Sequence, residues 1–247
     1  MESRDTAGVH ASLARGETEL WFVRLDRTDA EIAPMRATLS EDEAARAARF
    51  FRDSDRNHFI VARATLRELL AGRIGCDAAA VRFEYNQWGK PALAASFAPA
   101  DIRFNLSHSE GFAFYAITSK REVGVDIETI RPDIASEQVA ENFFSPVEVS
   151  ALRALPLDHQ PEGFFNCWTR KEAYVKARGE GLSIELASFD VSLRPGEPAA
   201  IVRAVDREKW AIASFRPDSG RVAAIVIEGS AEEIPAPRWH RGEEPNP

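Results

Sequence analysis

Apolar and polar positions alternate most clearly in two places. Val123, Val125 and Ile127 alternate with Gly124, Asp126 and Glu128, the period-2 signature of a half-buried strand. From Trp168 the period lengthens. Trp168, Glu172 and Lys176 recur at i, i+4 and i+8, so they share one side of a helix, and Gly179 stands at its C-terminal cap. The pattern predicts other strands at Glu19 to Leu25, Val81 to Tyr85, Ile102 to Leu106 and Phe112 to Thr118, the last two antiparallel across Ser107 to Gly111. Later strands are expected at Phe189 to Leu193, Ile201 to Val205, Trp210 to Phe215 and Val222 to Ile227. Ser40 and Glu43 have capping-box form and open a short helix to about Phe51. Asp53 or Ser54 can cap a longer helix to about Arg73, whose apolar stripe is Phe59, Ala62, Leu66, Leu69 and Leu70. Ser145, Pro146 and Glu148 repeat the start signal for a helix to about Leu155. Leu157 to Glu162 is a loop, and Phe164 opens the helix of Trp168 to Lys176.

Strands and helices mixed in this way place the chain in the α+β class. Its 247 residues, 45% hydrophobic, suffice for a sizeable core in one or two domains. A faint repeat supports two similar halves. Phe50-Phe51 and Phe143-Phe144 each precede a capped helix and strands, with a boundary near Lys120 to Val123. The expected division is 1–122, 123–230 and a proline- and glutamate-rich tail, 231–247, read as disordered. Residues 1–17 are polar and read as loose. The net charge of −8 argues against general nucleic-acid binding. Cys76 and Cys167 are far apart without metal-ligand spacing and read as free thiols of a reducing compartment. The first residues lack the apolar run of a signal peptide, and no stretch of about 18 apolar residues suggests a membrane span. A cytoplasmic, monomeric protein with no membrane partner is the expectation.

The chemistry-bearing residues lie in the two periodic stretches. Asp126 and Glu128 leave their strand on one face, where two carboxylates repel unless they are solvated or bridged by a cation. Mg²⁺ takes hard oxygen ligands, often one or two carboxylates with waters and phosphates. The same pair also suits a plain solvated strand face. Glu172 and Lys176 suit either a helix-surface ion pair or a site. Between Ala44 and Arg73, seven arginines face three acids, a basic segment in an acidic chain. It reads as a solvated face or as an anion-facing patch.

Taken together, Gly89-Lys90-Pro91, Asn105-Leu106-Ser107-His108, Val123 to Glu128, Trp168 to Lys176 and Gly179-Glu180-Gly181-Leu182 resemble, in order, the motifs of the surfactin-synthetase-activating 4'-phosphopantetheinyl transferases. The resemblance spans roughly residues 40 to 190. It implies two pseudo-symmetric α+β halves with coenzyme A in the cleft between them. It implies transfer of the phosphopantetheine arm to a serine of an apo acyl, peptidyl or aryl carrier protein, releasing adenosine 3',5'-bisphosphate. Asp126, Glu128 and Glu172 would hold Mg²⁺, with Mn²⁺ as the alternative ion, and Glu172 would be the base or a ligand alone. Lys176 would neutralise phosphate, and Lys171 would do likewise or support the site. Gly89, Lys90 and Pro91 would meet the adenine side, with Lys90 near phosphate. Ser107 and His108 would contact coenzyme A phosphates. Arg46, with Arg63 as a second candidate, would meet the 3'-phosphate, although Glu43 stands where some relatives carry a further basic residue. Two other readings use the same groups: a Mg²⁺-dependent nucleotide pyrophosphohydrolase, and a non-catalytic coenzyme A or carrier-binding module.

Overall fold

The computed structural model describes residues 18–135 and 137–242, so the polar stretch 1–17 and the last residues of the tail, 243–247, lie outside it. The first half contributes β1 (Glu19–Arg24), α1 (Asp29–Arg36), α2 (Glu41–Ala47), α3 (Asp53–Ile74), β2 (Phe83–Tyr85), β3 (Pro91–Leu93), β4 (Ile102–Ser109) and β5 (Phe112–Ser119). The second contributes β6 (Val123–Thr129), α4 (Glu137–Phe143), α5 (Pro146–Arg153), α6 (Gln160–Arg178), β7 (Asp190–Val191), β8 (Ile201–Arg203), β9 (Trp210–Phe215), β10 (Arg221–Glu228) and β11 (Arg238–Trp239).

Two sheets, ordered β11-β1-β5-β4 and β6-β10-β9, lie face to face. Their inner faces share one core, in which Leu20, Phe22, Phe114 and Ala116 meet Val125, Ile127, Ala223 and Ile225. The opposite faces are covered by helices. Ala113, Tyr115 and Ile117 of β5 pack with Ile60, Leu66 and Leu70 of α3. Val222, Ala224 and Val226 of β10 pack with Phe165, Ala173 and Ala177 of α6. The order of layers is therefore helix, sheet, sheet, helix. This explains why β5 and β10 are apolar on consecutive residues, Phe112 to Ile117 and Val222 to Ile227, rather than on alternate ones: both of their faces are dry.

The same burial corrects the reading of β6 as half-buried. Val123 through Ile127 are all buried. Valine and isoleucine face the sandwich core, while Gly124 lies under α6. A Cβ at Gly124 would stand 2.1 Å from the Ala173 carbonyl oxygen and 2.2 Å from the Ala177 nitrogen, so only glycine lets the helix approach this closely.

Other boundaries move for local reasons. The β4–β5 strands run on to a tight turn at Glu110-Gly111, where Gly111 has φ +80°. The N-cap of α3 is Arg52, in extended conformation, rather than Asp53 or Ser54. Helix α2 ends at Ala47, before Phe51, and α6 begins at Gln160, one turn before Phe164. Helix α1 was not foreseen, although Thr28 and Glu31 form its capping box.

The expectation of disorder fails for residues 231–242. Arg238 and Trp239 pair in parallel with Trp21 and Phe22 of β1. The Trp239 ring lies 5.3 Å from Phe22 and 6.2 Å from Phe112, and Arg241 pairs with Glu68 of α3. A single tryptophan with an apolar site to fill outweighs the surrounding proline and glutamate.

Candidate active site

The edge strand β4 of the first sheet runs beside the edge strand β6 of the second, and the site forms where they meet. Ser107 Oγ donates to Asp126 Oδ1 at 2.7 Å, and Ser109 Oγ donates to Glu128 Oε2 at 2.8 Å. Helix α6, seated on Gly124, brings Lys176 to the same carboxylate: its Nζ donates to Asp126 Oδ1 at 2.6 Å and to Ser107 Oγ at 3.1 Å. The Asp126 side chain is only 4% exposed and that of Lys176 28%. Glu172, one turn before Lys176, is half-buried in the wall of the same cleft.

Removal from water, then the charge of Asp126, pushes the Glu128 carboxyl up to about 6, against the pull of Ser109, Lys176 and Arg131. Removal from water also raises Glu172, with Lys176 opposing the shift and Asp126 adding to it. Asp126 is thus within electrostatic reach of both glutamates.

Among the described residues, no three His, Cys, Asp or Glu side chains are drawn close enough to hold a metal ion by themselves. The donor set nevertheless fits a hard cation. All three side chains offer oxygen, and two of them resist ionisation in the absence of a compensating charge. Asp126 Oδ2 is buried and makes no hydrogen bond. An orphaned buried carboxylate oxygen is costly unless a partner arrives.

On one side of Lys176 a cleft of about 320 Å³ is lined by Arg46, Arg63, Ser107 and His108, with Tyr85 and Phe59. The walls strip water from His108, and Lys176, His58 and Arg46 repel a further proton, so its imidazole is held below the usual histidine range. Cations that depress a neighbouring histidine mark a region short of negative charge. Arg46 is exposed, with its guanidinium 5.2 Å from the centre of the Phe59 ring. On the other side lies a cleft of about 280 Å³ with more apolar walls, among them Trp88, Val175, Ile184 and Leu186. The two share Gly89, Pro91, Leu106 and Lys176.

Three residues expected to contact the ligand are also engaged within the protein itself. Lys171 is fully buried: its Nζ meets Glu148 at 2.8 Å and the carbonyls of Leu186 and Phe189 at 2.7 and 2.6 Å. With its donors used inside the second half, it reaches no ligand. Lys90 Nζ donates to Glu122 at 2.9 Å and to the carbonyls of Ala177 and Val123 at 3.2 and 3.3 Å. It clasps the Asn86-to-Pro91 turn to α6 and also lines the second cleft. Asn86 adds a bond from its Nδ2 to the Gly179 carbonyl. Arg63 is largely buried, its Nε 3.4 Å from Glu43 Oε1 and its Nη2 3.4 Å from the Tyr85 hydroxyl. Glu43 does not oppose an anion in the cleft, because it turns inward and binds Arg67 at 2.7 Å. Tyr85, Trp88 and Ser109 were not singled out as site residues. Ser109 could have been, since it follows Ser107 at the strand period.

Residues 122–226 of the chain match the model of the 4'-phosphopantetheinyl transferase superfamily, and residues 26–120 match that of the 4'-phosphopantetheinyl transferase N-terminal region. The chain is 38% identical over 218 residues to the 4'-phosphopantetheinyl transferase HetI of Nostoc sp., spanning 88% of this chain and 90% of that one. A 4'-phosphopantetheinyl transferase of Bacillus subtilis is 31% identical over 215 residues, spanning 81% and 93%. Among solved structures, the holo-[acyl-carrier-protein] synthase of Thermotoga maritima aligns with 44% of this chain and 64% of its own, at 20% identity and a TM-score of 0.36.

Proposed function

Because the chain belongs to the 4'-phosphopantetheinyl transferase superfamily, we propose that its cleft moves the phosphopantetheine arm of coenzyme A onto the serine of an apo carrier protein. The observation that carries this reading is the Lys176–Asp126 pair, with Glu128 and Glu172 within electrostatic reach of its carboxylate, beside a cleft short of negative charge. Such a place suits a pyrophosphate.

The reaction joins the serine oxygen to the β-phosphorus of coenzyme A and breaks that phosphorus's bond to the bridging oxygen, which leaves on adenosine 3',5'-bisphosphate. The nucleophile is a neutral hydroxyl and must lose its proton. Glu172 is the residue we assign to receive it, because a carboxylate desolvated as this one is binds a proton more readily than an ordinary glutamate. Lys176, freed from Asp126 by the incoming anion, carries positive charge to the leaving phosphate. Asp126, Glu128 and Glu172 would hold Mg²⁺ or Mn²⁺, and the ion's part is to neutralise the pyrophosphate oxygens as charge develops. His108, Arg46 and Arg63 line the cleft that would take coenzyme A phosphates, with Arg46 and Arg63 assigned to the 3'-phosphate. Ser107 keeps Asp126 and Lys176 in register. Gly89 and Pro91 form the turn that separates the two clefts. The helix-on-sheet units 1–122 and 123–230 would be the two similar halves, with the ligand between them. The free cysteines fit a cytoplasmic setting. Among the described residues no helix is long and apolar enough to cross a membrane.

Intact-mass measurement of apo acyl and peptidyl carriers, incubated with the chain, coenzyme A and Mg²⁺, tests the reading. A gain of one phosphopantetheine on the carrier is expected. Hydrolysis of coenzyme A with no gain would support a pyrophosphohydrolase, and neither product would support a binding module.

A further inference from the structure

Strands β4 and β6 belong to different sheets and share no backbone ladder. The seam between them is made by side chains. Asn105, Ser107 and Ser109 alternate along β4 and so leave it on one face. Asn105 Oδ1 accepts from the buried Val125 N–H at 2.9 Å. Ser107 donates to Asp126 at 2.7 Å, and Ser109 donates to Glu128 at 2.8 Å. Three rungs at the strand period thus stand in for the backbone bonds that would otherwise join the two edges.

The rungs treat the two carboxylates alike. Each is tied to β4 through one oxygen: Oδ1 of Asp126 and Oε2 of Glu128. The second oxygen of Asp126, Oδ2, is buried and unpartnered. The rungs differ in how they are shared. Ser107 also accepts a bond from Lys176, so its tether is divided between two groups. Among the described residues, Glu128 has the one tether, to Ser109. A glutamate side chain has three rotatable bonds, and fixing one of its oxygens removes most of that freedom before any ligand arrives.

We propose that Ser109 is a positioning residue of the site, which holds Glu128 by one oxygen so that the carboxylate stands ready for a divalent cation. The proposal rests on the assignment of Asp126 and Glu128 as cation ligands. Hydroxyl partners of ligand carboxylates orient the ligand without touching the ion, and their loss usually costs about 10-fold or more in metal affinity.

The test is a Mn²⁺ titration of the whole chain, read by the electron paramagnetic resonance of the free ion, with and without coenzyme A. It compares the wild type with Ser109→Ala, Ser109→Thr and Asp126→Asn, with the melting temperature of each followed by circular dichroism. Ser109→Ala should weaken Mn²⁺ by roughly 10- to 100-fold with an unchanged melting temperature. Ser109→Thr, which keeps the hydroxyl, should stay within about threefold of the wild type. The proposal is overturned if Ser109→Ala binds Mn²⁺ as the wild type does while Asp126→Asn does not, or if Ser109→Thr is as weak as the alanine variant. A wild type that binds no Mn²⁺, or an Asp126→Asn variant that binds it unchanged, overturns the cation assignment itself, and the proposal with it.

Discussion

Helix α6 carries two lysine–carboxylate pairs five residues apart, and they are opposites. Lys171 meets Glu148 at 2.8 Å with both side chains almost wholly buried, and backbone carbonyls take the remaining donors. Glu148 in turn accepts from the backbone N–H groups of Ser145 and Val191. Every polar atom has a partner, so nothing is left for a ligand. Lys176 meets Asp126 at 2.6 Å at the lip of a cleft, with one carboxylate oxygen orphaned and two further glutamates held above their ordinary pKa. Satisfaction marks the structural pair, and dissatisfaction marks the one we assign to chemistry.

The largest effect should come from the unsatisfied end. Lys176→Ala and Glu172→Gln should each lower carrier modification by about 100- to 1,000-fold with unchanged circular dichroism, since each removes transition-state charge or a proton acceptor. Normal turnover in either would leave α6 without a catalytic face. Next comes the satisfied pair. Lys171→Met strands a buried carboxylate and should destabilise the fold by about 3–5 kcal/mol in urea denaturation. Adding Glu148→Gln removes the stranded charge but keeps an acceptor for Ser145 and Val191, and should recover part of the loss. If Lys171→Met kept its stability but lost turnover below its melting temperature, the contrast between the pairs would be reversed.

A third prediction uses pH. Glu128 has a folded pKa of about 6 against an ordinary 4.5, so between these values the folded chain binds more protons than the unfolded chain. Its contribution to stability is therefore greatest below about pH 4.5 and declines as pH rises to about 6, by at most about 2 kcal/mol before screening by water. The difference between wild type and Glu128→Gln in urea denaturation isolates this contribution from carboxylates shifted the other way, such as Asp190 and Asp206. Mg²⁺ should shrink the difference above pH 6, and a difference flat from pH 4.5 to 7 would contradict the assignment. The smallest effect concerns Arg46. Arg46→Ala should weaken coenzyme A by about 5-fold, and dephospho-coenzyme A by less than twofold, in calorimetric titration, as expected for one exposed charge-assisted contact. Equal losses would remove Arg46 from the terminal phosphate.

The dissatisfied pair was the more legible of the two. Asp126, Glu128, Glu172 and Lys176 stand at regular spacings on a strand and a helix, so local periodicity places them on shared faces. The satisfied pair was not legible. Glu148 lies far upstream of Lys171, and only the packing of α5 on α6 shows that they meet, so Lys171 was read with its neighbours. The clasp made by Lys90 was illegible for the same reason, because its acceptors, Glu122, Val123 and Ala177, lie far along the chain. The burial of β6 did leave a signal: a glycine inside a strand marks close approach by another backbone, and Gly124 is that glycine. The packed residues 231–242 left little signal, since composition averaged Trp239 away.

Strand β11 carries a consequence for how the protein is made. Arg238 pairs with Trp21, so this edge of the first sheet is covered only after residue 239 has been synthesised. Until then β1, which begins Glu-Leu-Trp-Phe, offers an open hydrogen-bonding edge to whatever the nascent chain meets. A ribosome slowed before residue 238 would display that edge for longer, and a chaperone that binds extended apolar segments would find its target at β1, roughly two hundred residues behind the segment then emerging.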